Sequence, residues 1–451
     1  MRSLRVGLPS IAACAMALVL TGCISAPKTP PPPTAAQRAE WKKVKTGPFA
    51  WGISTSSYQY EDPDLKPSDE FSTDWDIFIK QGAAPPKGNA LYTWSDFDKD
   101  LAALKKIGVT HYRFSLEWGR IEPHEGVYDE QVIRRYVGMA RKLQVAGIEP
   151  VVCLWHFTFP DWLYDRKHPA RSNWLHPDFQ ARWRAYVAKI VAAMGPSVRL
   201  YAPQNEPNGQ ITTAYVGGMW PPAETLNFRN YDRAIIASAE AFRDAAAIIK
   251  RENPHALVIS VEALPWWKRS PLPWLGTVFW NFMQQNNFDH LDRIYDVCDV
   301  IGFNYYYTQR AGPLSMLRIS YRHGPNYSMM GWKIDANGLY QQIKLVGDRY
   351  GKPMMITENG VATKKDQKRI DYIQTHLAAI ARAKAEGYDV RGYFHWSLAD
   401  NYEWHYGYTA TFGLSHMDPR TLDRILKPSA YYYRDIIREH KALDRARAEG
   451  N

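Results

Sequence analysis

The sequence predicts an α/β protein built as a (β/α)₈ TIM barrel, a single domain with large loops on the C-terminal face of its strands. Three observations predict it. From residue 48 onward, short apolar runs alternate eight times with long amphipathic stretches. The chain has 451 residues, too many for a simple sandwich and suited to a large barrel. No repeat, linker or change of composition divides that stretch.

The elements follow in chain order. Residues 1–22 read as an export signal: Arg2 and Arg5 are positive, and 11–20 is an apolar run. A spanning helix would need roughly 20 such residues. The run ends in Leu20-Thr21-Gly22-Cys23, which resembles the bacterial lipobox. The resemblance implies that Cys23 is lipidated and becomes the first mature residue. With Ile24 after it, the implied destination is an exported lipoprotein of the outer membrane, facing the periplasm or the surface. Residues 23–47, with Pro27 and a run of Pro at 30–33, are expected to be a tether. Pro-rich chain extends as a semi-rigid spacer. The barrel is expected over 48–442, and 443–451 as a tail.

Strands are predicted at 49–55, 110–116, 148–157, 199–205, 256–263, 300–307, 353–357 and 391–398, rich in Val, Ile, Phe and Tyr. Helices are predicted at 96–107, 130–146, 178–194, 231–251 and 367–385. In the second, Val132, Tyr136, Met139, Ala140 and Leu143 recur at three- and four-residue steps, and Gly147 ends the run. Two stretches, 264–298 (with Trp266, Trp267, Trp274 and Trp280) and 308–337, read as oversized loops leaving strand C-terminal ends. Barrel sites are built on that face.

Composition narrows the chemistry. The net charge is +10, but basic residues are scattered, with pairs such as Lys42-Lys43 and Lys105-Lys106 the densest clusters. They read as solvated surface, so no nucleic-acid partner is expected. The 17 Trp and 28 Tyr suit a site that stacks on flat rings. Four Cys exclude a disulfide-built scaffold. Cys153 and Cys298 sit in apolar runs and read as buried thiols, with a disulfide as the alternative. The sequence holds no HExxH, zinc-spaced Cys pair, calcium loop or phosphate-cradling Gly loop, so neither metal nor cofactor is expected.

Strand four ends in Asn205-Glu206-Pro207 and strand seven in Thr357-Glu358-Asn359-Gly360. Two carboxylates on one rim suit glycosidic bond cleavage, one protonating the leaving oxygen while the other attacks or stabilises the anomeric carbon.

The ordered motifs resemble glycoside hydrolase family 1, the retaining β-glucosidase type, from about Phe49 to Tyr433. They are Trp51-Gly52 through Gln59, Tyr112-Arg113-Phe114-Ser115, Trp118-Gly119-Arg120-Ile121, His156-Phe157, Asn205-Glu206-Pro207, Gly302-Phe303-Asn304-Tyr305-Tyr306, Ile356 to Gly360, Phe394-His395-Trp396-Ser397, and Glu403-Trp404. The resemblance implies an exo-acting hydrolase that cuts the terminal non-reducing sugar of a β-linked saccharide or glycoside through a covalent glycosyl-enzyme. Glu206 is then the acid/base and Glu358 the nucleophile, with Arg113, Tyr306 and Asn304 beside them. Gln59, His156, Asn205, Trp396, Glu403 and Trp404 are the implied sugar-binding set, Glu403 bridging O4 and O6. Glu206 must begin protonated, and the cation of Arg113 should keep Glu358 ionised. Phe157 stands where the family usually has Trp, Asp62 where it has Gly, and Thr411 where a basic residue is common. Glu403 argues against phosphorylated sugars. The alternative is a non-catalytic glycan-binding surface lipoprotein of the same fold.

Overall fold

The computed structural model describes residues 30–63, 71–271, 273–312 and 323–449. The signal at 1–22, Cys23 and 313–322 of the second loop lie outside the described residues.

The barrel strands are β1 (Ala50–Ser54), β2 (His111–Ser115), β3 (Glu149–Cys153), β4 (Leu200–Ala202), β5 in two pieces (Leu257–Val258 and Glu262–Ala263), β6 (Ile301–Asn304), β7 (Met354–Asn359) and β8 (Val390–Trp396). All pair in parallel, and β1 lies between β2 and β8. The first piece of β5 pairs with β4 and the second with β6, so the sheet closes on itself. Closure removes the exposed edge that an open sheet would present. Ala50, Val151, Leu200, Ile259, Val300, Met355 and Phe394 pack as an inner layer toward the strand N-terminal ends. We call that end the floor, and the C-terminal end the mouth.

Among the helices are α1 (Ala35–Trp41), α2 (Phe97–Ile107), α3 (Glu130–Val145), α4 (Phe179–Met194), α5 (Phe228–Glu252), α6 (Pro273–Ile294), α7 (Ala336–Tyr350), α8 (Asp366–Ala385) and α9 (Pro428–Glu449). In α3 the stripe from Val132 to Leu143 is buried, and Asp129 caps the helix by accepting from the amides of Gln131 and Val132.

Four expectations need correction. Residues 264–298 are not an oversized loop, because α6 fills most of them. Its buried face includes Asn286, Asn287, Asp289 and His290, which broke the apolar periodicity. The helix α9 runs to Glu449, through the expected tail at 443–451. The tether is not wholly a spacer. Thr34 caps α1, Arg391 donates to the carbonyls of Lys42 and Val44, and Val44 packs on the floor layer. Lastly, β3 and β4 stop short of the predicted runs, so His156 and Asn205 lie in the loops just past them. Cys153 and Cys298 are buried and free. No helix among the described residues is long and apolar enough to cross a membrane.

Candidate active site

Glu358, the fifth residue of β7, follows an irregularity in the register after Ile356, and it meets Arg113, the third residue of β2, inside the barrel near the mouth. Arg113 is fully buried and donates from Nη1 to Glu358 Oε1 at 2.5 Å. The Tyr306 hydroxyl donates to Glu358 Oε2 at 2.6 Å. Burial pushes the Glu358 carboxyl up from its ordinary value, while the Arg113 charge and hydrogen bonds from Tyr306, Arg113 and Asn304 pull it back. Both oxygens accept from short donors, one of them a cation, an arrangement that favours the carboxylate over the acid.

Glu206 follows β4 and opens a short helix, Pro207–Tyr215. Its φ is +44°, a region that costs a non-glycine residue about 1–3 kcal/mol. Two further wall residues share that strain, Phe157 at φ +76° and Trp404 at +50°. Asn304 Nδ2 donates to Glu206 Oε1 at 2.8 Å, and Thr357 Oγ1 donates to Asn304 Oδ1 at 2.7 Å. Thr357 thereby fixes the amide so that its N–H group faces Glu206. Asn304 is the link between the two carboxylates.

His156 is held neutral by burial and by the charge on Arg113. Arg113 Nη2 donates to Asn205 Oδ1 at 2.6 Å, which turns Asn205 Nδ2 toward His156 Nε2 at 3.2 Å. The neutral ring therefore carries its proton on Nδ1, which has no partner among the described residues. Gln59 Nε2 donates to Asn401 Oδ1, the Tyr402 carbonyl and Glu403 Oε2, so it positions the loop that carries Glu403. Burial first, then the charge on Glu358, raise Glu403 to about 8. Trp396 stacks on His156 at 5.9 Å and 18°, and Trp404 on Tyr58 at 5.6 Å and 7°. Gly360 lies under this wall, where an added Cβ would come 2.1 Å from the Trp396 carbonyl oxygen.

One cavity of about 270 Å³ collects Gln59, His156, Glu206, Asn304, Tyr306, Glu358, Trp396, Glu403 and Trp404. Arg113 and Asn205 stand behind that wall, both fully buried. Sequence reasoning missed the outer wall, where Met219, Trp220, Tyr307, Trp332 and Tyr406 line the same cavity. The signal for Trp332 was its place in the 308–337 loop. Trp220 gave none.

Residues 42–266 and 281–442 match the description "Glycosyl hydrolase family 1". The chain belongs to that family. Among similar proteins is a "Bifunctional beta-D-glucosidase/beta-D-fucosidase" of Bifidobacterium breve, 29% identical, covering 87% of this chain and 98% of the relative. "Beta-glucosidase A" of Thermotoga maritima is 28% identical over 89% of this chain and 99% of its own. Among solved structures, Fpglu1 of Fervidobacterium pennivoraus has a TM-score of 0.78 at 27% identity, covering 87% of this chain and 96% of that one. A Thermotoga maritima β-glucosidase in complex with castanospermine has a TM-score of 0.77 at 25% identity, over 88% and 98%. This family 1 protein is a retaining, exo-acting β-glycosidase, a hydrolase of O-glycosyl bonds, and its substrate is a β-glycoside. A non-catalytic relative of the same fold is not favoured, since both carboxylates face one cavity.

Proposed function

We propose that Glu358 is the nucleophile and Glu206 the acid/base of a two-step hydrolysis of β-glucosides and β-fucosides. The observation that carries these roles is the contrast between the two carboxylates. Glu358 is clamped on both oxygens, one by a permanent cation, whereas Glu206 accepts from a neutral amide on the same cavity. In the first step a Glu358 oxygen bonds to the anomeric carbon as the bond to the aglycone oxygen breaks, and Glu206 gives that oxygen its proton. In the second, Glu206 takes a proton from water, the water oxygen bonds to the anomeric carbon, and the ester to Glu358 breaks. Two displacements leave the anomeric configuration unchanged.

Glu403 remains a carboxylic acid at neutral pH, with one hydrogen to donate and lone pairs to accept. That suits a bridge across two neighbouring sugar hydroxyls. The Nδ1–H of His156 supplies a further donor, and Trp396 the face under the ring. The preference for glucosides and fucosides rests on the named activity of the Bifidobacterium relative. A panel of nitrophenyl β-glycosides tests it with wild type, Glu358→Gln and Glu206→Gln. Turnover is expected on the gluco and fuco members. Glu358→Gln should be inactive, and azide should restore product formation only to Glu206→Gln. Turnover by Glu358→Gln at the wild-type rate would overturn the assignment.

We also propose that the protein is exported and held at the outer membrane through lipid on Cys23. The support is the charged start, the short apolar run and the Gly22-Cys23 pair. Globomycin should leave uncleaved precursor; unaffected processing would contradict lipidation.

A further inference from the structure

The segment 30–41 precedes the family match but not the fold. It is seated on the floor. Pro33 lies under Gly351 at the end of α7, where an added Cβ would come 2.7 Å from the proline ring. The Lys352 ammonium sits 5.2 Å from the Trp41 ring, and Arg391 holds the carbonyls of Lys42 and Val44. The chain therefore leaves the body at the floor, near Pro30. Seven peptide units separate Pro30 from Cys23, a reach of at most about 25 Å at roughly 3.6 Å per residue. The 20-residue α8, which runs from mouth to floor, is itself about 30 Å long. A lipid on Cys23 cannot lie in a bilayer that the mouth touches.

The chemistry of the floor agrees with this geometry. A cavity of about 730 Å³ opens between the docked segment and the end of α8, and its cations include Lys42, Lys45, Lys384 and Arg391. Arg391 pairs with Asp389. Among the described residues, Lys42, Lys45 and Lys384 make no ion pair, and Lys384 lies over the Phe49 ring at 4.4 Å. Lys105 and Lys106 add exposed cations in the last turn of α2. Last-turn lysines also complement a helix dipole, but Lys45 belongs to no helix. Two large apolar side chains are exposed at this end. Val145 closes α3 and is 91% exposed; Leu443 is 55% exposed on α9, just past Lys441, which reaches the Gly108 carbonyl below β2.

We propose that the floor is a docking face for anionic lipid headgroups, so that the barrel stands on the membrane with its mouth turned away. The orientation rests on the lipidated Cys23 proposed above; the affinity of the floor does not. Phosphate headgroups meet unpaired lysines, while Val145 and Leu443 reach the interfacial layer. The mouth then opens toward dissolved glycosides.

The processed product of the full chain tests this. A fluorophore is placed through Val145→Cys on the floor or Lys364→Cys at the mouth, Cys153 and Cys298 being buried, and labelling of the chain without an added cysteine gives the background from Cys14 and Cys23. Each protein is mixed with phosphatidylcholine vesicles, with or without an equal part of phosphatidylglycerol, carrying a headgroup nitroxide quencher. Strong quenching at 145 with phosphatidylglycerol, and little at 364, is expected. The triple change Lys42→Gln, Lys45→Gln, Lys384→Gln should weaken the interaction about 100-fold, roughly fivefold per cation. The control Lys167→Gln, Lys364→Gln, Lys365→Gln should leave quenching at 145 unchanged. Equal quenching at both sites, or quenching at 145 indifferent to the triple change, overturns the proposal. The mass of the N-terminal peptide reports acylation separately. Protein lacking the lipid sinks the anchor, yet still tests the floor in the same vesicles.

Discussion

Replacing Glu403 by Gln is expected to stabilise the protein, and by more as the pH rises. Glu403 is 9% exposed, and burial with the charges of Glu358 and Glu206 lifts it from 4.5 to about 8 against the hydrogen bonds of Trp396 and Gln59. The native protein thus keeps a proton that the unfolded chain releases above about 4.5. Stability falls by about 1.4 kcal/mol per pH unit across that window and levels off above 8. The window spans 8 − 4.5 = 3.5 units, an upper bound of about 4–5 kcal/mol. Gln keeps the shape and never ionises. With an unfolding entropy of about 0.8 kcal/mol/K for some 400 residues, the full effect corresponds to roughly 5 °C in Tm. Calorimetry of both proteins at pH 5, 6, 7, 8 and 9 checks it, since titrations of groups distant from Glu403 cancel in the difference. Parallel Tm curves across pH 5–8, or a variant that loses ground as pH rises, would refute the reasoning.

Other perturbations probe the same wall. Tyr306→Phe removes a 2.6 Å hydrogen bond to Glu358; at about 1.5–3 kcal/mol for a bond to a charge, kcat on a nitrophenyl glycoside should fall about 10- to 100-fold with Tm little changed. Arg113→Met leaves a buried carboxylate without its cation, a loss of about 3–5 kcal/mol in denaturant titration. In the surviving enzyme the acid limb of kcat/KM should move to higher pH, because only the hydrogen bonds of Tyr306 and Asn304 then offset the burial of Glu358. Gly360→Ala forces a Cβ to 2.1 Å from the Trp396 carbonyl. Overpacking of about 1–3 kcal/mol or more should lower Tm and disturb the sugar platform together.

The strand ends were legible because a barrel delivers its chemistry there, and Glu206, Asn304, Tyr306 and Glu358 met on one cavity from three separate motifs. The helix α6 was not legible. Its Asn286 and Asn287 are buried against Asn208, Tyr231 and Trp267, and His290 pairs with Glu262 at 2.7 Å. Polar groups satisfied by tertiary partners look like surface in a one-dimensional pattern. The outer wall was hidden for a similar reason, since Trp220 and Trp332 reach the cavity from loops without periodicity. The docking of α1 was masked by the proline run before it. There Thr34 and Gln37 form a reciprocal cap that only a helix makes useful.

Trapping the glycosyl-enzyme tests the division of labour between the two carboxylates most directly. A 2-deoxy-2-fluoro-β-glucoside with a dinitrophenyl leaving group forms the ester quickly and releases it slowly. Digestion and mass spectrometry should find the fluorosugar on the peptide containing Glu358, with Glu206 unmodified. A sugar on Glu206, on Glu403 or on no residue at all would contradict the account.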